Sequence, residues 1–198
     1  MIKIAVLVSG GGTNLQALID AWKKDELGGG ELSLVISSRA GVVALERAEK
    51  AGIKAITIER KKYSDIADFD SDVAAALAEN GIGLVVLAGF LSILGDKTLR
   101  SYENRIINVH PALIPSFCGK GFYGLRVHEE ALKYGVKVTG ATVHFVNNVI
   151  DGGKIILQKA VDVLPGDTPE TLQQRVMREA EWVLLPKAVA MICEEGLP

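Results

Sequence analysis

Continuous apolar runs alternate with segments of helical periodicity along much of this chain, and this alternation narrows the possible folds most. The apolar runs lie at residues 2–8, 32–38, 53–58, 82–89 and 106–110. The segments with helical spacing lie at residues 13–24, 41–52, 66–80 and 125–134. A strand without polar alternation is typical of a parallel sheet, whose crossover helices cover both faces. The pattern therefore predicts an α/β fold with an open, mostly parallel, doubly wound sheet.

The C-terminal third of the chain has a different character. Two further apolar runs, at residues 137–146 and 154–163, are separated by a short connection. A connection this short suits an antiparallel strand pair, because a parallel crossover needs about a dozen residues or more. Thr168 then predicts the N-cap of a long closing helix, which we expect to be kinked near Pro186.

Composition narrows the class of protein. The 198 residues suit one domain, 1–198, and 22 basic residues against 24 acidic ones give a net charge of −2. This balance favours neither a nucleic-acid partner nor a membrane surface. Cys118 and Cys193 are too distant in sequence to indicate a disulfide framework or a zinc site. The N-terminal run reads as a first strand and not as a signal peptide, so we expect a cytoplasmic protein without a metal.

The stretch SGGGTNLQALI joins the first apolar run to the first helix. Glycines at such a junction let backbone N–H groups approach an anion at the positive end of the helix. A dinucleotide fingerprint is opposed by Leu15, where a third Gly is needed, and by residues 37–39, which lack the usual acid. We therefore expect a site for one phosphate at Gly12, Thr13 and Asn14. A tight turn that needs small residues only for packing is the alternative.

The run at residues 106–110 ends with two polar side chains. Asn108 and His110 are two apart on a strand, so they point to the same side, and Pro111 then ends the hydrogen-bonding ladder. Because ligands bind beyond the carboxyl ends of parallel strands, this pair should lie on the same edge as the phosphate loop. Asp151, in the link between the two late strands, can join them, although its Asp-Gly sequence is equally typical of a plain turn.

We expect the two other histidines to have no direct part in the candidate site. His144 lies inside the apolar stretch TVHFV, so we expect a buried, hydrogen-bonded core residue. His128 lies on the predicted helix GLRVHEEALKYG, where we expect it at the surface or behind the residues that contact substrate. Neither histidine is assigned to the candidate site by sequence alone.

Several stretches together resemble a known enzyme family over nearly the whole chain. In order, they are SGGGTNLQALI, ALERAEKAGI, VVLAGFLSIL, INVHPALIPSF, GATVHFV, IDGGKIILQKAV and EAEWVLLPKA. The chain resembles the folate-dependent formyltransferases, and within them the phosphoribosylglycinamide branch of purine synthesis. The resemblance implies a Rossmann-like formyltransferase fold, with a ribonucleotide-binding half at 1–100 and a folate-binding, catalytic half at 101–198. It also implies that the additional domains of the methionyl-tRNA and hydrolase branches are missing.

The resemblance implies a reaction and a role for each matching position. A formyl group would pass from 10-formyltetrahydrofolate to the amine of 5-phosphoribosylglycinamide, with Asn108, His110 and Asp151 as the catalytic trio. The ribonucleotide would contact Gly12, Thr13, Asn14, Arg178 and Glu181. The folate would contact Leu91, Ser92, Ile93, Leu94, Asn108, Asn147, Asn148, Val149, Ile150 and Asp151. The trio suits this chemistry, because preorganised donors stabilise the negative oxygen of a tetrahedral intermediate.

Some positions depart from the family pattern. Ser92 and Ile66 stand where an Arg is common, residues 147–148 replace a usually acidic pair, and Lys154 replaces a Pro. These departures concern folate affinity and not the reaction. Other interpretations remain open: another folate-dependent formyltransferase, a formyltetrahydrofolate hydrolase, a binding module without turnover, or a nicotinamide-dependent oxidoreductase. The partners expected are the two small substrates, with a homodimer as a further possibility.

Overall fold

The computed structural model describes residues 1–196 and contains one mixed sheet with helices on both faces. The strands are β1 (Ile2–Val8), β2 (Gly30–Ser37), β3 (Lys54–Thr57), β4 (Leu84–Leu87), β5 (Ile106–His110), β6 (Val138–Phe145) and β7 (Ile155–Asp162). The helices are α1 (Thr13–Trp22), α2 (Val43–Lys50), α3 (Ile66–Glu79), α4 (Asp96–Ser101), α5 (Leu125–Tyr134), α6 (Pro169–Val176) and α7 (Trp182–Glu195). A 3₁₀ turn at Arg60–Lys62 and a π-helical segment at Met177–Glu181 complete the regular elements.

The seven strands are ordered β3-β2-β1-β4-β5-β6-β7. Strands β1 to β5 pair in parallel, whereas β6 runs antiparallel to both β5 and β7. The chain leaves β1 first toward β3 and later toward β5, so the winding reverses between β1 and β4. Such a reversal opens a crevice beyond the carboxyl ends of the strands. The predicted doubly wound sheet with an antiparallel C-terminal pair is confirmed.

Strand β1 illustrates why the apolar runs form the centre of the sheet. Ile4, Val6 and Val8 pack into the core on one face, while Ala5 and Leu7 pack into the core on the other. All five side chains are fully buried. A strand with two covered faces has no polar face to show, which explains the unbroken run in the sequence.

The closing helix differs from the expectation in one respect. Thr168 is its N-cap, as predicted, and accepts a hydrogen bond from the backbone N–H of Thr171 in a capping box. The irregularity, however, is the π-helical segment at Met177–Glu181, while Pro186 lies inside the continuous helix α7. The kink expected near Pro186 stays a prediction, because a continuous helix can still bend at a proline. A π turn absorbs one extra residue and so changes the direction of the side chains that precede α7.

Helix α4 was not predicted, because its six residues are too few to show a periodic apolar stripe. Tertiary contacts hold it: the carboxylate of Asp70 accepts hydrogen bonds from the backbone N–H groups of Gly95 and Thr98. Within residues 1–196, no helix is both long and apolar enough to cross a membrane. Strands from both halves of the chain belong to the same sheet, with β4 hydrogen-bonded to β5.

Candidate active site

A cavity of about 740 Å³ lies beyond the carboxyl ends of the parallel strands. Its wall combines the loop after β1, the segment after β4, the end of β5, the β6–β7 link and the π-helical segment. This is the edge at which the winding of the sheet reverses, where open α/β proteins bind their ligands. Volumes of this order suit small-molecule substrates.

The predicted phosphate loop lies in this wall, between β1 and α1. Gly12 adopts φ +69°, and a Cβ atom there would lie 2.7 Å from the Cβ of Ala44, so only glycine fits. Gly12 is also the N-cap of α1, and no side chain caps the first N–H groups of this helix. The first turn contains no acidic residue. These uncapped N–H groups at the positive end of a helix are a suitable environment for an anion.

Asn14 and Glu181 connect the phosphate loop to the closing helix. The amide nitrogen Nδ2 of Asn14 donates a 2.7 Å hydrogen bond to Oε2 of Glu181. Glu181 is only 6% exposed, and this burial raises the pKa of its carboxyl group, while the hydrogen bond from Asn14 opposes the rise. Glu181 ends the π-helical segment, which brings its carboxylate to the cavity wall.

Two of the predicted contact residues lie outside the cavity wall, Arg178 and Asn148. Arg178 is exposed, and its Nε donates to the carbonyl oxygen of Gln174 on the preceding turn. The π-helical segment that contains both Arg178 and Glu181 points their side chains in different directions, and only Glu181 lines the cavity. Asn148 is exposed at the outer side of its loop. The remaining predicted site residues all line the cavity.

Asn108, at the end of β5, is oriented by His144 on the neighbouring strand β6. Nδ2 of Asn108 donates to Nε2 of His144 at 3.1 Å, and Nδ1 of His144 donates to the carbonyl oxygen of Phe145 at 2.8 Å. These two contacts require a neutral imidazole protonated on Nδ1. Burial lowers the pKa of His144, which favours the same neutral form. The second N–H of the Asn108 amide has no partner among residues 1–196 and is therefore available for a ligand.

His110 lies between the loop that follows β5 and the loop that joins β6 to β7. Its Nε2 donates to the carbonyl oxygen of Phe117 at 2.9 Å, while its Nδ1 is 3.7 Å from Oδ2 of Asp151. The same oxygen of Asp151 accepts a 2.8 Å hydrogen bond from the N–H of Gly119. Oδ1 of Asp151 lies 3.8 Å from Nε2 of His144. The structure thus brings together the predicted trio and adds His144 to it.

The expectation for His144 is confirmed for burial and hydrogen bonding, but its partner is the candidate catalytic Asn108. The surface alternative for His128 is wrong, because His128 is fully buried and lines the cavity. Its two ring nitrogens have no hydrogen-bond partner within residues 1–196. Burial, and secondarily the charge of His110, lowers the pKa of His128 to about 4. The amphipathic pattern of α5 could not distinguish a core position from a position facing a site.

The residues predicted to contact folate form an apolar rim around one side of the cavity. Leu91, Ile93, Val149 and Ile150 are about half exposed, with values from 48% to 59%. Exposed apolar side chains concentrated around a cavity mark a surface for a ligand. The other wall residues from this prediction are Ser92, Leu94, Asn108, Asn147 and Asp151. Two of the positions that depart from the family pattern lie elsewhere. Ile66 is at the start of α3, outside the cavity wall, and Lys154 is exposed.

Sequence reasoning missed two parts of the wall. One is Arg39, which follows β2 and lies beside the phosphate loop. The other is the loop 119–124, in which three glycines adopt positive φ and whose Gly119 contacts Asp151. The glycine-rich stretch CGKGFYG was the available signal for this loop. Within the described residues, no group of three or more His, Cys, Asp or Glu side chains is arranged to hold a metal ion.

Known proteins share this fold and sequence. A family model described as formyl transferase matches residues 2–189. The crystal structure of glycinamide ribonucleotide transformylase 1 from Symbiobacterium toebii is 42% identical with a TM-score of 0.92, covering 98% of this chain and 89% of that chain. The chloroplastic phosphoribosylglycinamide formyltransferase of Arabidopsis thaliana is 36% identical, covering 98% of this chain and 66% of the plant protein.

A third relative is a much longer protein. The trifunctional purine biosynthetic protein adenosine-3 of Gallus gallus is 46% identical over 191 residues, which is 96% of this chain. The chain spans only 18% of that relative's length.

The fold, the cavity at the sheet edge and these matches define the class: the chain belongs to the formyl transferase family. The plant relative and a solved structure from Bacillus halodurans are both named phosphoribosylglycinamide formyltransferase. The predicted resemblance to phosphoribosylglycinamide formyltransferase, an enzyme of purine biosynthesis, is therefore confirmed.

Proposed function

We propose that this chain transfers the formyl group of 10-formyltetrahydrofolate to the amine of 5-phosphoribosylglycinamide. The observation that carries the proposal is one cavity with an uncapped helix N-terminus at one end and the Asn108, His110 and Asp151 trio at the other. The first end suits a phosphate group, and the second suits a reacting carbonyl group. A substrate with a phosphate at one end and a nucleophilic amine at the other would occupy both.

The distance between these two ends matches the substrate. The phosphate loop follows β1 and the trio lies at the end of β5, with β4 between them. Because neighbouring strands are about 4.8 Å apart, the two ends are separated by about 10 Å across the sheet. The ribonucleotide has about nine bonds between phosphorus and amine nitrogen, which span roughly 10 Å at the rise per bond of an extended chain.

Asn108 would stabilise the tetrahedral intermediate. Attack of the amine on the formyl carbon places a negative charge on the formyl oxygen, and the free N–H of the Asn108 amide can donate to it. His144 holds the amide in place through the 3.1 Å hydrogen bond, so little reorganisation is needed. One such preorganised donor typically contributes a factor of about 10²–10³ in rate.

His110 would supply the second donor and Asp151 the proton relay. In the structure, the Nε2–H of His110 is used by the carbonyl group of Phe117. We propose that the formyl oxygen replaces this carbonyl group when substrates bind. Asp151 faces the other ring nitrogen and would stabilise the imidazolium. It would also relay the amine proton, through water, to N10 of the folate, from which the formyl group departs.

The folate and the ribose would occupy the remaining parts of the wall. The half-exposed apolar rim of Leu91, Ile93, Val149 and Ile150 suits the flat ring system of a pterin. The buried carboxylate of Glu181, oriented by Asn14, can accept hydrogen bonds from two neighbouring ribose hydroxyl groups. No step in this scheme requires a metal ion.

A formyl-transfer assay tests the function. With both substrates, the ultraviolet absorbance of the folate should change with time, and formylated ribonucleotide should accumulate in equal amounts. Omitting the ribonucleotide separates the transferase from a hydrolase, because a hydrolase would release formate from the folate alone. His110→Asn should abolish turnover while a matched variant of an exposed residue, Lys50→Gln, should retain it. Formate release that does not depend on the ribonucleotide would contradict the proposal.

We also propose that the chain acts as one functional domain in the cytoplasm. The continuous sheet supports a single domain, and the free thiols of Cys118 and Cys193 suit a reducing compartment. We expect binding of neither nucleic acid nor membranes, and the oligomeric form, monomer or homodimer, is open to measurement. Light scattering of the purified protein over a range of concentrations would measure the oligomeric state.

A further inference from the structure

The phosphate loop provides hydrogen-bond donors but no cation. None of the five residues from Gly10 to Asn14 is charged. A phosphate monoester carries a charge of about −1.5 to −2 at neutral pH. The end of a helix contributes the equivalent of about half a positive charge. A phosphate bound here would therefore need a further positive group.

Most nearby cationic side chains are unsuitable for this task. The guanidinium of Arg47 already donates to the carbonyl oxygen of Gly11 and to a neighbouring glutamine, both at 2.9 Å. Arg178 lies outside the cavity wall and donates to a carbonyl group of its own helix. Lys120 lies on the loop that contacts Asp151, at the catalytic end of the cavity.

Arg39 has the right position and a free guanidinium. It directly follows β2, which pairs with β1, and it lines the cavity together with the phosphate loop. The hydroxyl group of Ser37 accepts from the backbone N–H of Arg39 at 3.1 Å and donates to its carbonyl oxygen at 2.6 Å. A 2.6 Å hydrogen bond between the hydroxyl groups of Ser38 and Ser9 ties the ends of the two strands together.

The backbone of Arg39 is therefore held beside the loop, while its side chain is not committed elsewhere. Within residues 1–196, the guanidinium of Arg39 forms neither an ion pair nor a hydrogen bond with another residue. A guanidinium matches two phosphate oxygens with two parallel N–H donors, and it is weakly hydrated compared with an ammonium group.

We propose that Arg39 binds the phosphate group of the ribonucleotide and makes the enzyme prefer a phosphorylated acceptor over the corresponding riboside. This inference rests on the proposed function for the identity of the acceptor. Arg39 would contribute to binding and selectivity and not to the chemical step, because it lies on the far side of β1 from the trio.

The test compares Arg39→Gln and Arg39→Lys with a control, Arg100→Gln, which changes an exposed arginine on α4. Arg39→Gln should raise KM for the ribonucleotide by about tenfold or more, the loss expected for hydrogen bonds to a charged group. KM for the folate and kcat should stay within about threefold of wild type. For Arg39→Lys, KM for the ribonucleotide should lie between the values of the wild type and Arg39→Gln, because lysine keeps the charge but not the paired donors.

The riboside that lacks the phosphate gives the selective readout. Wild type and Arg39→Gln should use it equally poorly, since the group that Arg39 contacts is missing. An unchanged KM for the ribonucleotide in Arg39→Gln, or an equal loss with both acceptors, would overturn the role of Arg39 while formyl transfer by the wild type still stood.

Calorimetry with inorganic phosphate tests Arg39 without turnover. Weaker binding in Arg39→Gln than in Arg100→Gln supports the assignment even if the wild type transfers no formyl group. Equal phosphate binding by the two variants would overturn it.

Discussion

Neighbouring glycines in the phosphate loop have different constraints. Gly12 has a positive φ and would clash with Ala44 if it had a side chain, whereas a Cβ on Gly11 would meet nothing within 4 Å. A valine or alanine at Gly12 would therefore disturb the packing of α1 on α2 as well as any bound phosphate. A substitution at Gly11 therefore tests phosphate binding with less effect on folding than a substitution at Gly12.

We expect Gly11→Ala to keep the wild-type free energy of unfolding within about 0.5 kcal/mol, the usual range for a tolerated surface change. The added methyl group should still hinder approach of the phosphate, so KM for the ribonucleotide should rise more than KM for the folate. Gly12→Ala should lose about 1–3 kcal/mol of stability, because it forces a strained backbone conformation. Urea unfolding and steady-state kinetics measure both effects. Equal stability losses for the two variants would contradict the conclusion that Gly12, and not Gly11, is constrained by its conformation and packing.

His144 acts at the residue scale by orienting another side chain. Replacing it with Leu removes the acceptor that fixes the Asn108 amide. We expect kcat to fall by about tenfold to a hundredfold, part of the effect of losing an oxyanion donor. KM for the two substrates should change little. His144→Gln, which can still accept from Asn108, should recover part of kcat, and a Gln variant as slow as the Leu variant would argue for a purely structural role.

At the scale of elements, the closing helix has separate parts for stability and for function. Its first turn, capped by Thr168, lies at the surface, whereas its π-helical segment carries Glu181 into the cavity. Thr168 and Glu181 are thirteen residues apart along the chain. A change in the cap should therefore affect folding without altering substrate binding.

We expect Thr168→Ala to lower the free energy of unfolding by about 1 kcal/mol, the typical loss for an N-cap hydroxyl. Thr168→Ser should keep most of this stability, because its hydroxyl group can still accept from the N–H of Thr171. Urea denaturation provides the measurement, with kcat and both KM values as controls. A loss of activity that exceeds the loss of stability would show that the cap also positions the site.

At the scale of the whole molecule, His128 links stability to pH. Its pKa is about 4 in the folded protein, below the usual value of 6.5, because burial disfavours the charged form. The folded state therefore binds this proton more weakly than the unfolded state. The contribution of neutral His128 is complete above pH 6.5 and is lost as pH falls toward 4.

The shift of about 2.5 pH units corresponds to about 3 kcal/mol of stability lost across this range. We expect His128→Leu to remove this part of the pH dependence, so that its stability relative to wild type improves as pH falls from 7 to 4. Urea unfolding at several pH values measures the difference between the two proteins. A difference that does not vary with pH would mean that His128 does not titrate in this way.

The sequence determined the long strands and helices of this fold, though not the short helix α4 or the π-helical segment, because the signals of long elements are local. The run at residues 2–8 coincides with β1, and the helix predicted at 125–134 coincides with α5. Burial on both faces requires a continuous apolar strand, and a short link requires antiparallel neighbours, so both features can be read without the tertiary structure. Asn108 and His110 were also identifiable, because a strand fixes the directions of side chains two residues apart.

Only the tertiary structure decided which distant residues complete the site. Asn108 and His144 are 36 residues apart, and the register of β5 against β6 makes them partners. The π turn directs Glu181 into the cavity and leaves Arg178 outside, a difference in direction that a helical pattern does not contain. Arg39 lies beside the phosphate loop because β2 pairs with β1. Local periodicity records whether a residue is buried, whereas its partners depend on how the elements pack.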